Sequence, residues 1–383
     1  MKISILCFDI SNNCLGRAYM LSEMLCTKHD IEIIGPIFGD DVWLPLKNMG
    51  REKLRYKAIK SLGYPWFYST IKKLVGSIDG DVVYASKPRP SSFGIGIIKK
   101  IIKDIPLVLD IDDNETCMDF KNMKEYFRNF FSLQDPNAYL YTCFIEKFFS
   151  IADEITVASD FLKNRFGGEY IPHARDTHIL DPARYDRKKL RDAMGIGDDF
   201  IVLFYGTPRP HKGIEEIANA VLDLRKKKRH VMLMIVGGNE GIDKKILTEL
   251  EKEGGLIIEG AKSFSEIPNY VSIADVVVLP QRLTAFSIAQ VPAKLIDAMA
   301  MAKPIIGTKV SDIPKILDGC GIVVDITEEG KADSNALTKA LEWVLDNEDD
   351  AKAMGAKARE KCTKNFSYDV VGKRLLNIFE RFE

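Results

Sequence analysis

Residues 286–306 read FSIAQVPAKLIDAMAMAKPII. Pro292 suits the first position of a helix, because its missing N–H would go unpaired there anyway. Lys294 then falls in the first helical turn, where a cation opposes the helix dipole at a cost of about 0.3–1 kcal/mol. An anion bound at that helix end reverses the sign. Asp297 follows one turn later on the same face. A phosphate beside Lys294 leaves Asp297 placed to accept the two hydroxyls of a ribose. Taken alone, the pair also reads as a solvent-facing Lys–Asp contact.

Upstream, the apolar run Phe200–Tyr205 leads into GTPRPHKGI, residues 206–214. A strand, a loop of glycine and proline, then a helix start is an anion-binding arrangement, since free backbone N–H groups and the helix dipole point at the ligand. Gly206 opens that loop. Arg209 and Lys212 add two cations suited to phosphate oxygens.

The same alternation runs through the whole chain. Short apolar runs predict strands at Ile3–Phe8, Ile31–Ile34, Val82–Tyr84, Leu107–Ile111, Glu154–Ala158, Phe200–Tyr205, Val231–Val236, Leu256–Ile258, Val276–Leu279, Ile305–Gly307 and Gly321–Val324, with helical stretches between most of them. Continuous apolar strands alternating with helices predict parallel sheets covered on both faces. Eleven strands exceed one ordinary Rossmann sheet, and 383 residues suit about two domains at roughly 100–200 residues each. The fold class is therefore α/β with two doubly wound domains. Their join is expected near 181–198, where the apolar-poor DPARYDRKKLRDAMGIGDD intervenes. A helix over about 366–382 is predicted from Val370, Val371, Leu375, Leu376, Ile378 and Phe379.

Composition limits the function classes. Apolar residues make up 46% and charged residues 28%, and 54 Lys+Arg stand against 55 Asp+Glu. That excludes a disordered tail or a disulfide scaffold, and a net charge of −1 argues against a nucleic-acid partner. The seven cysteines are scattered with no C-x-x-C pair, which reads as reduced thiols in a cytoplasmic protein. No stretch approaches the ~18 apolar residues of a membrane span.

Two further features stand out. Residues 47–73 carry eight Lys or Arg against Glu52, interleaved with Tyr56, Tyr64, Trp66, Phe67 and Tyr68. Basic residues mixed with aromatics suit an anionic membrane surface; the plain alternative is a solvated insertion. Second, Asp110-Ile111-Asp112-Asp113 ends a predicted strand, where α/β ligands bind. Alternation puts Asp110 and Asp112 on one face. The acids could orient a substrate hydroxyl, hold Mn²⁺ or Mg²⁺ as a D-x-D, or be solvated. His173, Arg175, Asp176 and His178 lie in IPHARDTH, with a cleft-lining or a solvent-exposed reading open to them.

The GTPRPHKGI loop, SEIPNYVSIADVVVLPQ and PAKLIDAMAMAKPIIGT, in this order and spacing, resemble the nucleotide-sugar domain of retaining glycosyltransferases of the GT-B fold, family 4 (glycosyl transferases group 1). EYIPHARDTHILDP, ADEITVASDFLKNRF and NFSYDVVGKRLLNIF resemble its interdomain segment, its last N-domain strand and helix, and its C-terminal helix. The resemblance implies two Rossmann-like doubly wound domains facing a cleft: an acceptor-side domain at 1–180, a nucleotide-sugar domain at 181–365, and a helix at 366–383 crossing back to the first. It implies that Lys212 holds the donor diphosphate, with Arg209 beside it. Gly16, Gly206, Gln290 and Lys294 line the donor, and Asp297 binds the ribose. Asp112 stands closest to the position of a catalytic-site histidine. Three departures accompany this. Thr207 replaces an arginine, for which Arg209 is the candidate substitute. Ala289 replaces the first acid of the acid–x7–acid motif, and Asp112 replaces the histidine.

The implied function is transfer of a sugar from a nucleotide diphosphate sugar to an acceptor hydroxyl with retention, in cell-surface polysaccharide or glycolipid synthesis. No cofactor or metal is expected, because side-chain cations serve the diphosphate. The expected partners are the donor, a saccharide or lipid-linked acceptor, and an anionic membrane surface through 47–73. The expected location is cytoplasmic, peripheral to the inner face of the membrane. Two alternatives remain: a nucleotide-sugar 2-epimerase of the same fold, and a non-catalytic partner subunit.

Overall fold

The structure, a computed structural model, describes residues 1–47, 55–117 and 132–383. It divides into two units. Unit 1 comprises Met1–His173 together with Tyr368–Glu383, and unit 2 comprises Ala174–Ser367.

Unit 1 is built on strands β1 (Lys2–Cys7), β2 (Asp30–Ile37), β3 (Arg55–Lys60), β4 (Val82–Ser86), β5 (Leu107–Ile111), β6 (Glu154–Val157) and β7 (Glu169–Tyr170). Their order is β3-β2-β1-β4-β5-β6-β7, and every pairing is parallel. Unit 2 carries β8 (Phe200–Tyr205), β9 (Val231–Val236), β10 (Leu256–Glu259), β11 (Val276–Leu279), β12 (Ile305–Thr308) and β13 (Ile322–Val324). The order β10-β9-β8-β11-β12-β13 repeats the same winding, again all parallel. The winding reverses between β1 and β4, and between β8 and β11. At such switch points the flanking loops part, and the carboxyl ends of the strands form a crevice for ligands.

The strands are apolar on both faces because helices cover both. In unit 2, Leu203, Met234 and Val277 face one buried cluster with Leu295, Ile296 and Met299. Val202, Leu233 and Val276 face the opposite cluster with Ile217, Val221 and Leu224. Fully burying one such side chain stabilises by about 1.5–3 kcal/mol, so each helix is fixed by its apolar face.

Two strands lie outside the eleven read from apolar runs. β3, RYKAIK, is an edge strand whose residues alternate between exposed and half-buried. Its lysines disguise it, as charges on edge strands commonly do. β7 spans two residues. The stretch 181–198 lies within unit 2 as a short 3₁₀ turn, Pro182–Arg184, and a helix, Arg187–Ala193.

The helix Tyr368–Phe379 belongs to unit 1. It buries Val371, Leu375, Ile378 and Phe379. It lies against the helix Leu15–Leu25, with Gly372 next to Met24, where a Cβ would stand 3.4 Å from the Met24 Cβ. The Phe379 ring meets Tyr84 edge-on at 5.3 Å. Lys28–Glu380 and Arg381–Glu154 pairs flank this contact.

Candidate functional site

In unit 2 the chain turns sharply at the end of β8. Gly206 has φ +99°, a conformation open to glycine at little cost. A Cβ there would stand 2.8 Å from the Lys294 Nζ, so the glycine also makes room for that lysine. The loop closes through a 3₁₀ turn, Pro210–Lys212, to Gly213, where a Cβ would stand 2.0 Å from the Pro280 carbonyl oxygen. The helix Ile214–Lys226 starts there, its first-turn Glu215 and Glu216 held at 2.8 and 2.7 Å by Arg282.

Lys212 Nζ donates to Gln290 Oε1. Half-buried Lys294 lays its ammonium over the Phe204 ring at 4.2 Å and the Tyr205 ring at 5.7 Å. The Lys294 helix runs Ala293–Ala300, so Pro292 is its N-cap residue and Lys294 remains in the first turn. Burial lowers the Lys294 ammonium well below its ordinary 10.5; the Lys212 charge lowers it further, and Asp297 opposes them. Two cations therefore converge beside Gly206 at mutual electrostatic cost. An anion between them relieves that cost.

Asp297 is buried one turn below. Its Oδ1 accepts from Arg175 Nε, and its Oδ2 accepts from the Tyr205 hydroxyl at 3.2 Å. The same Tyr205 proton is shared with the Lys294 carbonyl, at 2.9 Å. Burial, then the Asp297 charge, raises the Tyr205 hydroxyl well above its ordinary 10.0, so it stays a donor. Gln281 braces the loop, donating to the Ser287 and Gln290 carbonyls at 3.2 and 3.1 Å. Gly206, Lys212, Gln290, Lys294 and Asp297 are thus brought together at the β8/β11 switch point. Arg209 stands exposed on the loop. Ala289 is fully buried, which leaves that position no polar contact to offer a ligand. Sequence reasoning missed Tyr205 and Gln281, and did not pair Arg175 with Asp297. The position of Tyr205, last in a strand and next to a loop glycine, was the available signal.

Unit 1 presents a charged cluster at its own switch point. Lys87 follows β4 in a left-handed conformation, φ +73°. Its Nζ lies 3.0 Å from Asp112 Oδ1 and 2.8 Å from Glu115 Oε1, and pairs with Asp113 Oδ2. Arg89 pairs with Glu115 and donates to the Asn137 carbonyl at 2.8 Å. Burial pushes the Asp112 carboxyl up to about 7; Lys87 opposes the rise, while Asp113 and Asp110 add to it. Burial also opposes the Lys87 charge, yet the three carboxylates hold its ammonium well above 10.5.

Asp110 and Asp112 have different partners, although the charges of Asp110 and Arg17 still reach the Asp112 carboxyl. β5 ends at Ile111, so strand alternation does not extend to Asp112. Asp110 turns into the core, where Arg17 grips it at 3.0 and 2.8 Å and Thr156 donates at 2.8 Å. Arg17 also donates to the carbonyls of Ile171 and Pro172, at 2.7 and 3.2 Å. Oxygens of Asp112, Asp113 and Glu115 lie within 4.8 Å of one another, a spacing able to hold a metal ion. The Lys87 ammonium reaches all three. Gly16 lies in the first turn of the helix Leu15–Leu25, and its N–H donates to the Asn13 carbonyl at 3.0 Å.

Of the basic stretch 47–73, residues 48–54, with Arg51 and Lys53, lie outside the described residues. Lys57 pairs with Glu32 at 2.7 Å and Asp79 at 3.2 Å, Lys60 donates to the Gly39 carbonyl at 2.5 Å, and Lys47 pairs with Asp41 at 2.7 Å. Arg55, Lys72 and Lys73 are exposed, as are Leu62, Trp66 and Tyr68 at 61%, 67% and 66%, whereas Phe67 is buried.

Residues 186–361 match the family of glycosyl transferases group 1. The chain is 26% identical over 241 residues to a GDP-mannose-dependent α-(1-6)-phosphatidylinositol monomannoside mannosyltransferase of Mycolicibacterium smegmatis, covering 59% of this chain and 62% of that protein. It is 28% identical over 199 residues to the α-D-kanosaminyltransferase of Streptomyces kanamyceticus, covering 50% and 48%. The chain thus spans about three fifths or less of the length of these curated relatives. Among solved structures, sucrose-phosphate synthase from Thermosynechococcus elongatus superimposes with a TM-score of 0.72 at 17% identity, over 100% of this chain and 98% of that one. Anabaena HepE in complex with UDP and glucose gives 0.72 at 15% identity, over 100% of both. These likenesses identify the fold as GT-B.

Proposed function

We propose, for a chain whose residues 186–361 match glycosyl transferases group 1, that it transfers a hexose from a nucleoside diphosphate sugar to an acceptor hydroxyl with retention. The observation that carries this reading is the convergence of Lys212 and Lys294 on Gly206 beside a helix N-terminus. As the sugar–phosphate bond breaks, negative charge grows on the leaving diphosphate. Two ammonium groups, already in place, stabilise that charge without reorganisation. The freed diphosphate then helps deprotonate the acceptor on the same face of the sugar. Gln290 orients Lys212, Asp297 takes the ribose, Gly206 lets the backbone approach, and exposed Arg209 closes on the diphosphate. In unit 1 Asp112 orients the acceptor hydroxyl and Gly16 borders the donor.

No metal is required in this scheme, because lysines supply the positive charge on the diphosphate and Lys87 supplies it among the unit 1 carboxylates. A glycolipid acceptor fits the relative whose name specifies phosphatidylinositol monomannoside. It also fits the outward Trp66 and Tyr68, which suit the interface of an anionic leaflet. Among the described residues no helix is long and apolar enough to cross a membrane.

The test starts with a thermal-shift screen against UDP, GDP and ADP and their sugars. A ligand at 100 times its Kd adds about 2.7 kcal/mol of stability. The stabilising donor is then incubated with and without glycolipid acceptors, and release of the nucleoside diphosphate is measured. Release that needs acceptor supports transfer. Turnover without acceptor favours the 2-epimerase, and binding without turnover favours a non-catalytic subunit.

A further inference from the structure

Asp297 and Arg175 are far apart in sequence and face to face in unit 2. The carboxylate is nearly buried, at 7% exposure. One oxygen accepts from Arg175 Nε and the other from the Tyr205 hydroxyl. A carboxylate has about four acceptor positions. With two engaged, two remain, the number that the two hydroxyls of a ribose require. Arg175 is itself anchored. Its Nη1 donates to the Ala174 carbonyl at 2.8 Å, and its backbone N–H donates to the Phe366 carbonyl at 2.9 Å. Its backbone also forms a parallel bridge with Ser367.

We propose that Arg175 is a positioning residue that locks Asp297 toward a ribose diol, and so sets a preference for ribo- over 2′-deoxyribonucleoside diphosphates. The proposal rests on the nucleotide reading of the Lys212–Lys294 site. Asp297 meets the hydroxyls; Arg175 acts through it. Without the guanidinium, the buried carboxylate loses the charge that offsets its desolvation. It then turns away, and the diol loses its acceptor.

The experiment is calorimetric titration of UDP, GDP and their 2′-deoxy forms into wild type, Arg175→Gln and Arg175→Lys. In Arg175→Gln the affinity for the ribonucleotide falls about tenfold, as expected when a charge-assisted hydrogen bond is removed. The 2′-deoxy form loses less, so the ratio between them shrinks. Arg175→Lys, which keeps the charge, restores part of the ratio and carries the comparison should Arg175→Gln not fold. Equal losses for both sugars, or an unchanged ratio, overturn the role of Arg175 while leaving the nucleotide site intact. Wild type that binds none of the nucleotides overturns the nucleotide reading, and this proposal with it.

Discussion

Replacing Lys294 by Met separates ligand binding from folding. The side chain stays unbranched and is one atom shorter, which keeps a polarizable thioether beside the Phe204 ring that the ammonium covers at 4.2 Å. Removing the cation–π interaction costs about 0.5–2 kcal/mol. A sulfur–aromatic interaction of about 0.3–1.5 kcal/mol largely offsets it. The repulsion from Lys212 disappears as well, so the free protein is no less stable than wild type. Diphosphate binding, by contrast, is deprived of a charge-assisted hydrogen bond of about 1.5–3 kcal/mol, or about ten- to a hundredfold in Kd. Calorimetry with UDP and GDP measures that weakening, and thermal melts measure the stability. The melts carry a second signature. Because the native ammonium titrates below its ordinary 10.5, the unfolded chain binds more protons from that lowered value up to 10.5. Wild-type stability therefore gains a component that rises with pH across that window, and Lys294→Met lacks it. Unchanged nucleotide affinity in Lys294→Met, and likewise in Lys212→Ala, refutes the placement of the diphosphate.

The unit 1 cluster gives a pH test. With Asp112 near 7 against an ordinary 3.8, activity that needs its carboxylate rises as pH passes about 7, and a pH–rate profile of Asp112→Asn lacks that acid limb. Stability works the other way: the native carboxyl holds its proton between 3.8 and 7, so this group's contribution falls as pH rises through that window. Turnover survives EDTA; complete loss restored by Mn²⁺ means that Asp112, Asp113 and Glu115 hold a metal. Asp110→Asn leaves Arg17 buried without its counter-charge and costs about 3–5 kcal/mol in urea unfolding, whereas an Arg17→Met, Asp110→Leu double variant recovers most of it. Wild type co-sediments with phosphatidylglycerol vesicles, in part even at high salt, and Trp66→Ser with Tyr68→Ser is released; both remaining in the supernatant at low salt would point to a soluble acceptor.

Local patterns carried most of the fold. The apolar runs that became β1, β8, β9 and β11 are legible because strands buried on both faces carry no polar interruptions. The turns at Gly206 and Pro292 are legible because backbone conformation restricts residue choice there. β3 escaped because an edge strand needs no apolar run. The site divides in the same way. Lys212, Lys294 and Asp297 are close in pattern to elements that announce themselves. Arg175 meeting Asp297, and Lys87 meeting Asp112 and Glu115, depend on which loops the sheet order brings together. No local spacing encodes that. The D-x-D shows the converse: a short pattern read as one site serves two sets of partners, because the strand stops between its two buried acids, Asp110 meeting Arg17 and Asp112 meeting Lys87.

The return of Tyr368–Phe379 to unit 1 sets an order of assembly. Unit 2 is continuous in sequence, whereas the surface around Tyr84, Met24 and His29 is completed by residues made after the whole of unit 2. At about 5–20 residues per second, the roughly 190 intervening residues take about 10–40 s to translate. During that interval the first half of the chain on the ribosome exposes the apolar groove that Phe379 later fills, while the second half can finish folding first. A premature stop after Ser367 would therefore spare unit 2 and cripple unit 1.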